Sequence, residues 1–260
     1  MDIEELYVIG EEYYVKKEYK KALEHFEKYY SSNESYDCLN YIGCCYLGME
    51  DFDSAVNIFK RLINECPKVE RPVFNLGRVY LKQGRLQDAL DCFNNAININ
   101  PNSEDAYYYL GVYYDKINDF DEARIYYEKS LSLNFEQSET HLNLGICFYR
   151  LQLYNEALKE FDLALKYDDE CIQARECKWI IYIEIKDYSK ALRELLYVNT
   201  INPYDTYNLI DIIHCYYKLD DFRNAQEWVS KLLSVEPDNE FACKTIERIN
   251  LKLSKIMENI

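Results

Sequence analysis

Four side chains able to pair with charge or with peptide groups share one helical spacing near the middle of the chain. Arg71, Asn75, Arg78 and Lys82 are separated by 4, 3 and 4 residues, which places them on one face of a helix. Their chemistry is recognition. A guanidinium can hold a carboxylate with two parallel hydrogen bonds, and a side-chain amide can both donate to and accept from an extended peptide. Lys116 and Arg150 repeat the Lys82 position at steps of 34, and Tyr41, Asn75, Tyr109 and Asn143 also recur at steps of 34. Catalytic groups are not assembled in this way. His214 and Cys215 are adjacent, and neighbours on a helix point about 100° apart. The 3 histidines and 10 cysteines contain no Cys-x-x-Cys pair, the close spacing that a zinc site would want. The cysteines read as small buried thiols in a reducing compartment. With no phosphate-binding glycine loop either, no enzyme activity, cofactor or metal is expected.

The elements that position these groups follow from composition and periodicity. The 260-residue chain has only 7 Gly and 5 Pro, too few tight-turn residues for a fold of many short strands. It is 48% hydrophobic, which suits a packed core. Its net charge of −16 disfavours nucleic acid and anionic membrane surfaces as partners. The start Met1-Asp2-Ile3-Glu4-Glu5 has no basic segment leading into an apolar stretch, so a cytoplasmic chain is expected.

Ala22, Ala55, Ala89, Ala123, Ala157, Ala191 and Ala225 are spaced by 33 and then five times by 34. Gly10, Gly43, Gly77, Gly111 and Gly145 keep the same step, as do Pro67 and Pro101, then Pro203 and Pro237. An aromatic residue stands three places after each of those glycines: Tyr13, Tyr46, Tyr80, Tyr114 and Phe148. The phase continues at Tyr182 and Tyr216. This period resembles the tetratricopeptide repeat (TPR). The resemblance divides the chain into repeats 3–36, 36–69, 70–103, 104–137, 138–171, 172–205 and 206–239. It implies an all-α fold, a right-handed α–α superhelix in which each repeat is a pair of antiparallel helices. Small residues at positions 8 and 20 of each repeat let the two backbones approach. Asp53, Asp121, Asn155 and Ser189 are expected to cap the second helices. Residues 240–260 carry the stripe Ala242, Ile246, Ile249, Leu253, Ile256 and Ile260, read as a capping helix.

Two repeats depart from the pattern. Position 8 holds Trp179 in the sixth and Ile213 in the seventh, and Lys178 occupies an apolar position. The bulky side chains are expected to push the two helices apart, with Trp179 either a repacked core residue or a partner anchor.

In proteins of this family the first helices line a concave groove. The resemblance therefore places Arg71, Phe74, Asn75, Arg78, Lys82, Tyr108, Tyr109, Lys116, Leu142, Asn143, Tyr149 and Arg150 on that surface. A charged stripe on a helix is commonly only a solvated face. Against that, the third repeat is the only one with a net positive charge, and aromatic groups beside arginine are the usual chemistry of interface hot spots. Position 5 carries no lysine in any repeat, so the chain does not resemble the family members that clamp two carboxylates. Arg71 and Arg78 could still pair one.

The expected function is a non-catalytic protein–protein interaction scaffold or adaptor. Its groove would take an extended peptide or helix of a partner, which could carry an acidic or C-terminal carboxylate element. A regulatory sensor of a short peptide is the alternative, although a first repeat at about residue 3 leaves no room for a preceding effector segment. A non-catalytic subunit of a larger enzyme complex is another.

Overall fold

The structure, a computed structural model, describes residues 3–258, and their side chains as far as Ser254. Among the described residues it contains fifteen α-helices and no strand, grouped in two units. The first unit, Met1–Phe135, holds α1 (Ile3–Val15), α2 (Tyr19–Ser32), α3 (Tyr36–Gly48), α4 (Phe52–Glu65), α5 (Arg71–Lys82), α6 (Leu86–Ile99), α7 (Glu104–Lys116) and α8 (Phe120–Leu133). The second unit, Glu136–Ile260, holds α9 (Ser138–Arg150), α10 (Tyr154–Tyr167), α11 (Ile172–Glu184), α12 (Tyr188–Ile201), α13 (Thr206–Lys218), α14 (Phe222–Val235) and α15 (Glu240–Glu258).

Within each unit, odd- and even-numbered helices pack as antiparallel pairs, and each pair packs on the next. The first helices of successive pairs also touch: α3 with α5 and α5 with α7 in the first unit, α9 with α11 in the second. Among the described residues the second helices share no contact of that extent. A stack whose first helices lie closer together curves toward them, so each unit is concave on its odd-numbered helices.

A left-handed residue turns every pair: Lys17, Glu50, Gly84, Asn118, Gln152, Lys186 and Asp220, with φ between 56° and 75°. Six of the seven are not glycine, and a left-handed L-residue costs about 1–2 kcal/mol. The compensation is visible in the next residue, whose N–H returns to the first helix. Glu18 donates to the Tyr13 carbonyl, Asp51 to Tyr46 and Asp119 to Tyr114, each at 2.9 Å.

The second helices begin earlier than the sequence suggested. Their caps are Asp51, Asp119, Asp187 and Asp221, whose carboxylates accept from the N–H groups of Ser54, Glu122, Lys190 and Asn224 at 3.2 Å. Asp53, Asp121, Asn155 and Ser189 stand two residues further along, inside the first turn. Asp53 and Asp121 there still favour the positive end of the helix dipole. At the corresponding cap of α10 stands Leu153, with no side-chain cap.

Inside each of the first five pairs, a glycine of the first helix lies flat against an aromatic ring of the second. A Cβ added to Gly10, Gly43, Gly77, Gly111 or Gly145 would come within 2.5–2.7 Å of Phe26, Phe59, Phe93, Tyr127 or Phe161. The last two pairs invert the arrangement. Trp179 and Ile213 replace the glycine, and the facing residues shrink to Leu195 and Val229. Ile213, Leu195 and Val229 are completely buried, and Trp179 packs on the cluster of Ala191, Leu195, Ile212 and Cys215. The bulk has thus moved from one helix of the pair to the other. Trp179 is half-buried on that cluster, its indole nitrogen buried without a hydrogen-bond partner.

Helix α15 packs on α14 and α13. Ala242 and Ile249 are fully buried against Leu209, Ile213, Val229 and Leu232, with Ile246 and Leu253 partly buried at the edge. The side chains of Ile256 and Ile260 lie outside the described residues.

Candidate functional site

Arg78 is the centre of the site in the first unit. Helix α5 carries it to the concave face one turn below Phe74 and Asn75. Its Nη1 donates to Asn75 Oδ1 at 2.9 Å, and its guanidinium carbon stands 5.0 Å from the centroid of the Tyr109 ring, on α7. Burial disfavours the charge, yet Tyr109, Cys44, Tyr14 and Asp105 around it leave its pKa raised. Arg78 is thus a permanent cation held in fixed orientation, and the groups around it come from α1, α3, α5 and α7.

Asn75 is 1% exposed. Its Nδ2 donates to Asn40 Oδ1 on α3 at 3.0 Å, so Asn40, Asn75 and Arg78 form one chain of hydrogen bonds. The amide is therefore committed to orienting Arg78 and does not face an incoming backbone. Phe74 and Tyr108 are also buried. Tyr109 lies parallel to Phe74 at 6.0 Å and to Phe93 at 5.8 Å, with the Arg78 guanidinium over its ring. Tyr41 behaves likewise two repeats earlier, stacked on Phe26 at 5.0 Å. Lys116 donates to the Leu81 carbonyl at 3.1 Å, in the last turn of α5, where the dipole favours a cation. Arg71 and Lys82 are exposed, and neither makes a hydrogen bond or ion pair among the described residues. The stripe therefore divides: Arg78 and Asn75 are built in, while Arg71 and Lys82 are open to a partner.

Leu142, Asn143, Tyr149 and Arg150 belong to the second unit. Leu142 is buried and Arg150 exposed. The Tyr149 hydroxyl donates to Glu184 Oε1 at 2.7 Å, and this bond, with burial, raises its pKa to about 12.

Two further charged groups take their surroundings from neighbouring helices. Asp105, at the same repeat position as Arg71, brings a carboxylate to the basic stripe. Burial pushes it up, Glu104 adds to that, and Arg78 and Arg71 pull it back. Lys178 is the other. It is buried yet doubly paired, with Asp162 and Glu194 each at 2.8 Å. Arg175 joins Glu194 at 3.2 Å. Burial alone would lower the Lys178 ammonium; its two carboxylate partners overcome that and leave it raised. A spacing argument cannot find this network, since its members come from α10, α11 and α12.

The ten cysteines are free thiols. Burial pushes Cys38, Cys45 and Cys215 up to about 12, far from the thiolate that a nucleophile or a metal site needs. Among the described residues no helix is long and apolar enough to cross a membrane.

The stacked helix pairs, their glycine–aromatic contacts and the concave odd-numbered face define an α-helical repeat solenoid. Comparison with known proteins identifies which one. Family models described as TPR repeat and tetratricopeptide repeat match residues 77–117 and 104–136, and the model of anaphase-promoting complex, cyclosome, subunit 3 matches residues 15–96. No curated protein matches in sequence. Among solved structures, the C-terminal part of a TPR repeat-containing protein from Cytophaga hutchinsonii superposes with a TM-score of 0.66 at 17% identity, covering 92% of this chain and 98% of that one. YrrB, described as a TPR protein with an unusual peptide-binding site, gives 0.63 at 21% identity over 73% of this chain and 97% of its own. The hetero-tetramer Cut9–Hcn1 of the anaphase-promoting complex gives 0.62 at 15% identity, over 95% of this chain and 46% of that one. Residues 77–136 thus match tetratricopeptide repeats, and the chain has the fold of a tetratricopeptide-repeat solenoid, typical of non-catalytic proteins that mediate protein–protein contacts or act in complexes.

Proposed function

We propose that this chain is a non-catalytic interaction scaffold whose first unit takes an extended peptide or helix of a partner protein on its concave face. The observation that carries this reading is Arg78: a desolvated cation, oriented by Asn75 and Tyr109, between the two unpaired cations Arg71 and Lys82. A partner segment with a carboxylate matches that row, because fixed guanidinium groups recognise carboxylates bidentately. YrrB supplies a precedent of peptide binding on the same fold. The work would be done in the cytoplasm, the compartment that suits ten free thiols.

The test separates binding from folding. Arg71→Glu/Lys82→Glu changes only exposed, unpaired groups, so helicity should be kept while capture of partners from native host lysate falls. Recovery of every partner at wild-type levels would refute the groove. A second reading is favoured by the match of residues 15–96 to an anaphase-promoting complex subunit: a non-catalytic subunit of a larger assembly. It expects the native protein to elute from gel filtration in a large complex.

A further inference from the structure

A second place in the molecule combines a cavity with unpaired positive charge. Between α13 and α15, in the second unit, lies a half-open cavity of about 140 Å³. The rings of Tyr217 and Phe241, over the buried Ile213, give it apolar surface, and His214, Lys218, Thr245 and Arg248 surround it. The spacing explains the grouping. His214 and Lys218 are one turn apart on α13, while Phe241, Thr245 and Arg248 follow at 4 and 3 residues on the facing side of α15.

No Asp or Glu lines this cavity, although the chain holds 46 acidic residues against 30 Lys and Arg. Neither Lys218 nor Arg248 has a hydrogen bond or ion pair among the described residues. Lys178, Arg175, Lys190 and Lys244 of this unit, by contrast, are held in ion pairs. Burial, with the charge of Lys218, lowers the pKa of His214, so that ring is a neutral hydrogen-bonding group beside two cations.

Size and chemistry narrow the ligand. A cavity of about 150 Å³ accepts a group the size of benzene, and drug-sized ligands need about 300 Å³ or more. One small apolar group therefore covers the apolar surface. Inorganic phosphate or sulfate would press oxygen atoms onto the ring faces of Tyr217 and Phe241, which do not hydrogen-bond them. A carboxylate presents two oxygens, one for each cation, and leaves its hydrocarbon body to the rings.

The geometry points to a binding site for a small amphiphilic carboxylate, an apolar group of about benzene size joined to one carboxylate, held between Lys218 and Arg248. Such chemistry occurs in free small organic acids and in the C-terminal residue of a protein chain. The site is independent of the first-unit groove, sharing no residue with it.

Nitrogen-15-labelled full chain is titrated with 3-phenylpropionate, with acetyl-Gly-Gly-Phe, with the same peptide as its C-terminal amide, and with inorganic phosphate. The expected result is saturable shifts at Lys218, Thr245 and Arg248 with at least one of the two carboxylates. The amide and phosphate should bind about ten-fold more weakly or not at all, as loss of a charge-assisted pair implies. Tighter binding of 3-phenylpropionate assigns the site to free acids, and tighter binding of the peptide acid assigns it to chain termini. Lys218→Gln and Arg248→Gln, both at exposed positions, should each weaken binding about ten-fold. Arg71→Glu/Lys82→Glu should leave the titration unchanged, so the two sites fail or succeed separately. No saturable shift with either carboxylate, or shifts as strong with the amide or phosphate, would overturn the assignment.

Discussion

The exchange of bulk between paired helices can be transplanted. Replacing Gly145 by Ile and Phe161 by Val gives the α9–α10 pair the residues that α13–α14 carries at Ile213 and Val229. Each change alone should be harmful. A Cβ on residue 145 would meet Phe161 Cε1 at 2.6 Å, Cδ1 at 2.8 Å and Cζ at 3.0 Å, and Phe161 is fully buried with no space to retreat. Overpacking costs about 1–3 kcal/mol even for modest additions, and isoleucine adds three carbons beyond Cβ. The gain in helix propensity over glycine offsets only about 0.5 kcal/mol, so Gly145→Ile alone should lose about 3 kcal/mol. Phe161→Val leaves a cavity against Gly145 and should lose about 2–3 kcal/mol, somewhat less than truncation to alanine. Independent sites would sum to about 5–6 kcal/mol. If volume is what the pair conserves, the double variant should lie within about 1 kcal/mol of wild type. Urea unfolding followed by tryptophan fluorescence reads the right part of the molecule, because both tryptophans, Trp179 and Trp228, lie in the second unit. A double variant that loses the full sum would show that the exchange is not a matter of fit.

Two further predictions concern buried charge. Burial, with Asp205 nearby, raises Asp211 to about 6. A carboxyl whose folded pKa exceeds its ordinary value of 3.8 binds its proton more tightly when folded, so stability is lost as pH rises from about 4 to about 6. Asp211→Asn should therefore stabilise the second unit by on the order of 1 kcal/mol at pH 7.5 and by little at pH 4; equal effects at both pH values would contradict this. Glu194→Gln should destabilise the same unit by about 2–3 kcal/mol, since Lys178 and Arg175 lose their shared buried carboxylate, and a thermal midpoint unchanged by circular dichroism would show that the network carries no stability.

Sequence and structure agree where the information is periodic. The alanine and glycine steps mark close backbone approach, and a contact repeated at every 34 residues is visible without coordinates. The inverted pairs were also written in the sequence, but only for a reader comparing two positions at once. Trp179 alone suggests a wedge; Trp179 beside Leu195 suggests an exchange. The helix caps were misplaced because several polar residues crowd each turn, and only backbone geometry decides which carboxylate meets a free N–H. Asn75 shows the limit of face arguments. Its spacing with Arg71 and Arg78 is correct, yet its amide points along the stack to Asn40, a contact 35 residues away that no single-helix pattern contains. Lys178 was marked as an exception because an ammonium at an apolar position has no local explanation; its explanation is two carboxylates on other helices.

The inverted pairs also bear on how the chain assembles. Helices in a repeat array are near copies, and a first helix could dock on the wrong second helix during folding or on a second molecule. Helix α13 carries Ile213 where Phe161 of α10 or Phe93 of α6 would need a glycine, so those mismatches clash. Helix α9 against α14 would instead leave a void between Gly145 and Val229. The two kinds of pair thus act as a key that makes helices from opposite ends of the array non-interchangeable, while the first five pairs, all built of glycine and a ring, have no such protection among themselves.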